Sequence, residues 1–136
     1  MDDLTPADEV LISAAAQLLL RAHDDTLHRV AAAARGVSGD IHLGLSLATP
    51  RVSVCAESSA VANAKIAGEE AVQTIVSVGL DPDGRAVVIN PCGVCREVVP
   101  KFGRDLRVLV DVGGTVAVAS PDELLPMPWV RARSYS

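Results

Sequence analysis

Apolar and polar positions change rhythm several times along this chain, and each change marks an element. In TPADEVLISAAAQLLLRAHDD, residues 5–25, the apolar positions Val10, Ala14 and Leu18 recur at the helical period. Thr5 caps this helix, Pro6 suits its first position, and Asp8 three residues after the cap closes a capping box. The stretch TLHRVAAAARGV reads both ways: its alanines favour helix, whereas Thr26, Val30 and Val37 allow a strand. SGD then reads as a turn and IHLGLSLA alternates in strand fashion, so a hairpin is the better reading of the two segments together. AESSAVANAKIAGEEA is helical after Cys55 and stops near Gly68. VQTIVSVGL is an apolar, β-branched strand; DPDG turns, and RAVVIN is a short strand leading into Pro91. GVCREVVPKFG is a short helix that Pro100 ends or kinks. LRVLVDV and TVAVAS flank a Gly-Gly turn, and PDELLP supplies one closing helical turn. Strands interleaved with helices predict an α/β fold in which helices cover a central sheet.

The bulk composition narrows this picture. At 136 residues the chain, 1–136, is expected to be one domain with a proper core. Phe102, Trp129 and Tyr135 are its only aromatic residues, so Ala, Val, Leu and Ile must build that core. A net charge of −5 without any basic cluster argues against nucleic acid and for a small-molecule ligand. The apolar run VLISAAAQLLL follows acidic residues rather than basic ones and is too short to span a bilayer, so neither a signal peptide nor a membrane span is expected there. Three cysteines are an odd number and two stand too close for a typical bridge, so a reduced, cytoplasmic setting is expected.

Those cysteines are the candidate chemistry. Cys92 and Cys95 have the C-x-x-C spacing that lets two thiolates face one ion, a spacing shared by redox pairs and zinc sites. Catalytic zinc sites typically take three protein ligands and leave the fourth place to water. Cys55, Cys92 and Cys95 match that count with none left over. Both motifs sit where a loop runs into a helix, and free N–H groups there favour the thiolate a metal needs. Arg96, beside Cys95, can offset the negative charge of three thiolates. Glu57 follows Cys55 by two residues on the same first helical turn, where a carboxylate can carry a proton between water and a leaving amine. A first-turn glutamate that only complements the helix dipole is the plain alternative.

Taken together, CAE at Cys55–Glu57 and PCGVCRE at Pro91–Glu97 resemble the two signatures of the cytidine deaminase superfamily, and RVSVCAE, PCGVCRE and DELLP are most similar to its blasticidin S deaminase branch. In zinc deaminases a Cys₃ or His/Cys/Cys site activates water to attack the carbon bearing the amino group, and a glutamate that is not a ligand shuttles protons. The resemblance implies one Zn²⁺ per subunit held by Cys55, Cys92 and Cys95, with Glu57 as the proton shuttle. It further implies that the amide of Ala56 binds a ring carbonyl and that backbone near Asn90 and Pro91 receives the departing amine. The implied fold is three-layer α/β/α with a mixed sheet of about five strands, which makes TLHRVAAAARGV a strand. Enzymes of this kind and size assemble as homotetramers, with a dimer the alternative here.

Departures from the family pattern bear on the substrate. Cytidine deaminases carry an Asn-x-Glu pair that grips the ribose hydroxyls; here Ser46 and Ala48 stand in those places, and Ser58 replaces the arginine that often follows CAE. Losing a carboxylate that binds hydroxyls weakens sugar binding, because charged hydrogen bonds are the stronger kind. The expected substrate is therefore an aminated heterocycle taken as free base or base analogue, of cytosine, aza-cytosine or aminopurine type. Cytidine or blasticidin S, both nucleosides, are the alternative. A non-catalytic zinc module in which a histidine such as His28 fills the fourth place is the contrasting class. His28 falls roughly at a pocket position and can stack on a heterocycle, or be a partly exposed strand residue; His23 and His42 read as surface residues. Trp129 and Tyr135 can fold over a pocket mouth or lie in a loose tail. Arg96 is expected to orient the cysteine ligands from behind.

Overall fold

Thr5 and Asp8 close the capping box that the sequence predicts: Thr5 Oγ1 accepts from the Asp8 N–H at 3.3 Å, and Asp8 Oδ2 accepts from the Thr5 N–H at 2.9 Å. The helix they start, α1, runs Pro6–Ala22. The structure, a computed structural model, describes residues 1–132, so Tyr135 lies outside the described residues.

After α1 the chain forms β1 (Val30–Gly36) and β2 (Ile41–Leu45), the expected hairpin. A separate two-stranded ladder follows, β3 (Leu47–Ala48) with β4 (Ser53–Val54). Then come α2 (Ala56–Ile66), β5 (Val72–Leu80), β6 (Ala86–Ile89) and α3 (Gly93–Val98). A 3₁₀ turn (Val99–Phe102), β7 (Arg107–Val112), β8 (Thr115–Ala119) and α4 (Pro121–Leu124) complete the order. The main sheet has six strands rather than about five, in the order β2-β1-β5-β7-β8 with β6 also on β5. It is mixed: β5 and β7 run parallel, and the other pairs are antiparallel.

Two helical layers cover this sheet. Leu11, Ala15 and Leu19 of α1 pack against Ala31, Ala33, Val76, Val78 and Leu109 on one face. Ala56, Ala60, Val61 and Ala64 of α2, with Cys95 of α3, pack against Ala32, Ala34, Ile75 and Val108 on the other. β1 is therefore covered on both sides, and its four alanines are 0% exposed. Short side chains there let both helices approach the sheet closely, and this burial overrides their preference for helix. The closest approach is at Gly44, opposite Ala32 on β1, where a β-carbon would collide with the backbone of Ala56 and Ala60. Gly44 thus seats the first turn of α2 on the sheet.

The placement of β6 and β7 makes the opening for the second cysteine motif. Both lie along the edge of β5 away from β1: Thr74 and Ile75 pair with β7, Ser77 to Leu80 with β6. Where these two strands part, the chain leaves β6 and carries Cys92 and Cys95 towards α2. Asn90 ties the gap. Its Nδ2 donates to the Asp111 carbonyl at 3.1 Å and its Oδ1 accepts from the Asp111 N–H at 2.8 Å.

Two local expectations change, and one holds in a particular way. IHLGLSLA is not one strand: Ser46 Oγ accepts from the Arg29 and Val30 N–H groups at 3.1 and 2.9 Å, which ends β2 at Leu45 and turns the chain into β3. As expected, α3 ends before Pro100, at Val98, and the chain then tightens into the 3₁₀ turn that contains it. His42 is not a surface residue. Its side chain is 12% exposed and its Nε2 lies 2.6 Å from Glu69 Oε2, while Ser38 Oγ donates to the same oxygen at 2.6 Å.

Candidate active site

Cys55 and Cys92 occupy equivalent places, each the N-cap of its helix, α2 and α3. Glu57 lies one turn-position further along α2 and is 6% exposed; Cys95, inside α3, is fully buried. The three sulfurs converge. Cys55 Sγ and Cys95 Sγ each stand 3.5 Å from Cys92 Sγ, and all three lie within 4.8 Å of one another. Sulfurs bound tetrahedrally to zinc at roughly 2.3 Å stand roughly 3.8 Å apart, so this donor set fits that ion. No His, Asp or Glu among the described residues joins the group.

Burial and mutual proximity set the thiols apart from an isolated cysteine. Burial, then the neighbouring charge of Glu57, pushes the Cys95 thiol far up. Burial and the Cys92 contact also raise Cys55. At Cys92 burial works in the same direction, but the amide dipoles of Cys95 and Val94 at the start of α3 and the other two thiols outweigh it and draw the thiol down. A dication at the sulfurs reverses the penalty on all three thiolates.

The open cleft beside the sulfurs is lined by Val30, Ser46, Ala48, Cys55, Glu57, Asn90 and Cys92 among others. Ser46 and Asn90 are thus brought to the cysteines, and Ala56 lines the cleft as well. The Ala56 N–H, at the first position of α2, has no intrahelical acceptor. The Asn90 side chain is consumed by Asp111, which leaves its backbone for any ligand. Pro91 is buried and does not line this cleft, and its carbonyl accepts from Arg96 Nε at 3.0 Å. Arg96 Nη1 meanwhile donates to the Leu124 carbonyl at 3.1 Å, so its contacts are to the backbone on either side of the motif. His28 stands outside the lining, its Nδ1 2.7 Å from the Ser46 carbonyl oxygen. Trp129 is 76% exposed and lies with Arg96, Glu97, Pro100 and Lys101 on a different groove of this chain.

Two residues of the site carry no expectation from the sequence. Gly44 interrupts the alternation of IHLGLSL, and Ser77 is a hydroxyl inside the apolar run TIVSVGL. Both interruptions are visible as pattern breaks, but only the packing says what each faces. Ser77 Oγ lies 3.4 Å from Glu57 Oε2.

No family model matches the chain. It is 30% identical over 135 residues, 95% of its length, to a blasticidin-S deaminase from Bacillus cereus, covering 96% of that protein. A cytidine deaminase from Shewanella pealeana is 35% identical over 98 residues, spanning 69% of this chain and 27% of that one. Among solved structures, cytidine deaminase from Burkholderia pseudomallei superposes with TM-score 0.73 at 28% identity, over 93% of this chain and 100% of its own. The cytidine deaminase from Bacillus anthracis shares the fold with TM-score 0.75 at 20% identity, over 94% and 91% of the two chains. Fold and relatives together define a hydrolytic deaminase. The chain belongs to the cytidine deaminase superfamily, near its blasticidin S deaminase branch.

Proposed function

We propose that this protein is a zinc-dependent aminohydrolase that releases ammonia from an aminated heterocycle of nucleobase type, taken as free base or base analogue. The observation that carries the reading is the convergence of Cys55, Cys92 and Cys95 beside the carboxylate of Glu57 in one open cleft. Bound at the three sulfurs, one zinc per subunit supplies Lewis-acid activation of water for attack on a ring carbon. Glu57 would take one proton from the attacking water and pass it to the ring nitrogen, then take the remaining proton from the new hydroxyl and pass it to the departing amine as the carbonyl forms. The Ala56 N–H holds a ring carbonyl, and backbone at Asn90 and Pro91 meets the amine.

The preference for a base over a nucleoside is supported by the lining of the cleft. Glu57 is its only acidic residue among those described. Ser46 Oγ already accepts two backbone N–H groups and retains only its own proton to offer, and Ala48 offers nothing. Ribose hydroxyls thus meet no carboxylate apart from the one that carries protons. A screen of ammonia release over free bases, base analogues and the matching nucleosides tests this directly. Bases turning over faster is the expected result; nucleosides much faster than bases overturns the preference, and cytidine or blasticidin S then becomes the substrate.

The assembly we propose is a homotetramer, with a dimer second. Ile66, Val94, Met127 and Trp129 stand exposed on this chain, which favours their burial between copies and lets Trp129 cover a neighbour's cleft. Light scattering of the zinc-loaded protein decides between the two. No helix among the described residues is long and apolar enough to cross a membrane. The three free cysteines fit a reducing cytoplasm.

A further inference from the structure

From Ile75 to Leu80, β5 is apolar except at Ser77, which is 2% exposed. A buried hydroxyl is unfavourable unless it is bonded. Ser77 Oγ has two acceptors in reach, Glu57 Oε2 and the Ile89 carbonyl oxygen, each at 3.4 Å. It has one proton and donates to one of them at a time. Seen from the other side, Ser77 is the only hydrogen-bond donor to the Glu57 carboxylate among the described residues. Glu57 Oε1 makes no such bond among the described residues and keeps contact with solvent.

The position of Ser77 on the strand gives this contact a purpose. With Ile75 it points to the face covered by α2 and α3. Its second acceptor, Ile89, ends β6 and lies three residues before Cys92. One hydroxyl therefore spans the helix that carries the carboxylate and the strand that delivers the second cysteine motif. Resting on the reading of Glu57 as the proton carrier, we infer that Ser77 is a positioning residue for the deamination: its hydroxyl holds Glu57 Oε2 against the sheet so that Oε1 faces the cleft. When the carboxyl group rotates during turnover, the hydroxyl turns to the Ile89 carbonyl, and no buried donor is left unpaired.

Ser77→Ala and Ser77→Thr test this in the full-length protein. Threonine keeps the hydroxyl, and Ser77 borders a cavity that it shares with Glu57, Ile75, Pro91 and Cys95. In the zinc-free protein, the infrared band of the Glu57 carboxyl group is isolated as the difference between parent and Glu57→Gln. That band shifts in Ser77→Ala and returns in Ser77→Thr. In the zinc-loaded protein, Ser77→Ala lowers kcat about tenfold and changes KM by less than about twofold, with zinc content unchanged. Ser77→Thr restores most of kcat. Ser77→Cys, nearly isosteric but a weak donor, takes the place of alanine if that variant does not fold. A Glu57 band unmoved by Ser77→Ala, a loss of kcat that threonine leaves unrepaired, or an effect on KM alone overturns the inference. The infrared result stands whether or not a heterocycle is found to be deaminated, so it fails separately from the functional reading.

Discussion

Gly44 of β2 lies directly under the backbone of Ala56 and Ala60 in α2, with no room for a β-carbon between them. The contact is backbone against strand, so no side chain can swing aside to relieve it. It also fixes the height at which Cys55, Ala56 and Glu57 stand above the sheet.

Gly44→Ala is therefore expected to destabilise the protein by about 3 kcal/mol, at the upper end for overpacked cores. Urea unfolding with an unchanged m-value measures it. A variant as stable as the parent refutes the close approach. Zinc content, measured at a temperature where the variant is folded, falls with it, because the Cys55 sulfur moves relative to Cys92.

Glu57→Gln keeps the shape of the side chain and removes its capacity to carry a proton. Zinc content is expected to stay at one per chain while ammonia release falls by at least about a hundredfold. Metal analysis beside an ammonia assay reads both. Persistent turnover removes Glu57 from the proton path.

Chelation exposes the sulfurs in an order set by their access. Cys92 is exposed, Cys55 intermediate and Cys95 buried. A thiol reagent added to the chelated protein should label Cys92 first and Cys95 last, as peptide mapping shows. Added zinc should protect all three together. Labelling of the zinc-loaded protein at the same rate contradicts a shared metal.

Asp8 links the start of α1 to β7. Arg107 Nη1 and Nη2 donate to its two carboxylate oxygens at 2.6 and 2.8 Å, and this bond, ahead of the opposing effect of burial, holds the carboxyl below the usual aspartate range. A carboxyl lowered in the folded state stabilises it fully above the unfolded value, about pH 4, and the gain is lost as pH falls from there through the native value. Unfolding free energy should therefore drop below about pH 4, and less steeply in Asp8→Asn. Arg107→Gln leaves Asp8 buried without its cation and should be destabilised by about 3 kcal/mol at neutral pH. Equal acid slopes in parent and Asp8→Asn dismiss this pair as a source of pH dependence.

Much of the architecture was legible because local signals and burial agree. Thr5, Pro6 and Asp8 mark the start of α1 by chemistry confined to a few consecutive residues, and β5 is long, apolar and β-branched. The alanines of β1 were ambiguous because propensity and packing pull in opposite directions there. Ser46 was read within a continuous strand because its bonds to the amides of Arg29 and Val30 span residues far apart in sequence. His42 was read as exposed for the same reason: its partner Glu69 arrives from beyond α2.

By itself the sequence determined which residues are the candidates for chemistry. Cys55, Cys92, Cys95 and Glu57 are few and placed in or just before the first turn of a helix, where free N–H groups act, and they leave a pattern that can be read without a fold. Only the tertiary structure decided how those groups meet. Sulfurs separated by 37 residues come to 3.5 Å because Gly44 lets α2 settle on the sheet and β6 and β7 part to admit α3. The same packing set Ser77 beside Glu57, turned the Asn90 side chain to Asp111 and kept His28 and Trp129 off the cleft in this chain. Such contacts depend on which strands pair and how closely helices approach them, and those distances are fixed by burial summed over the whole chain rather than by any short stretch of it.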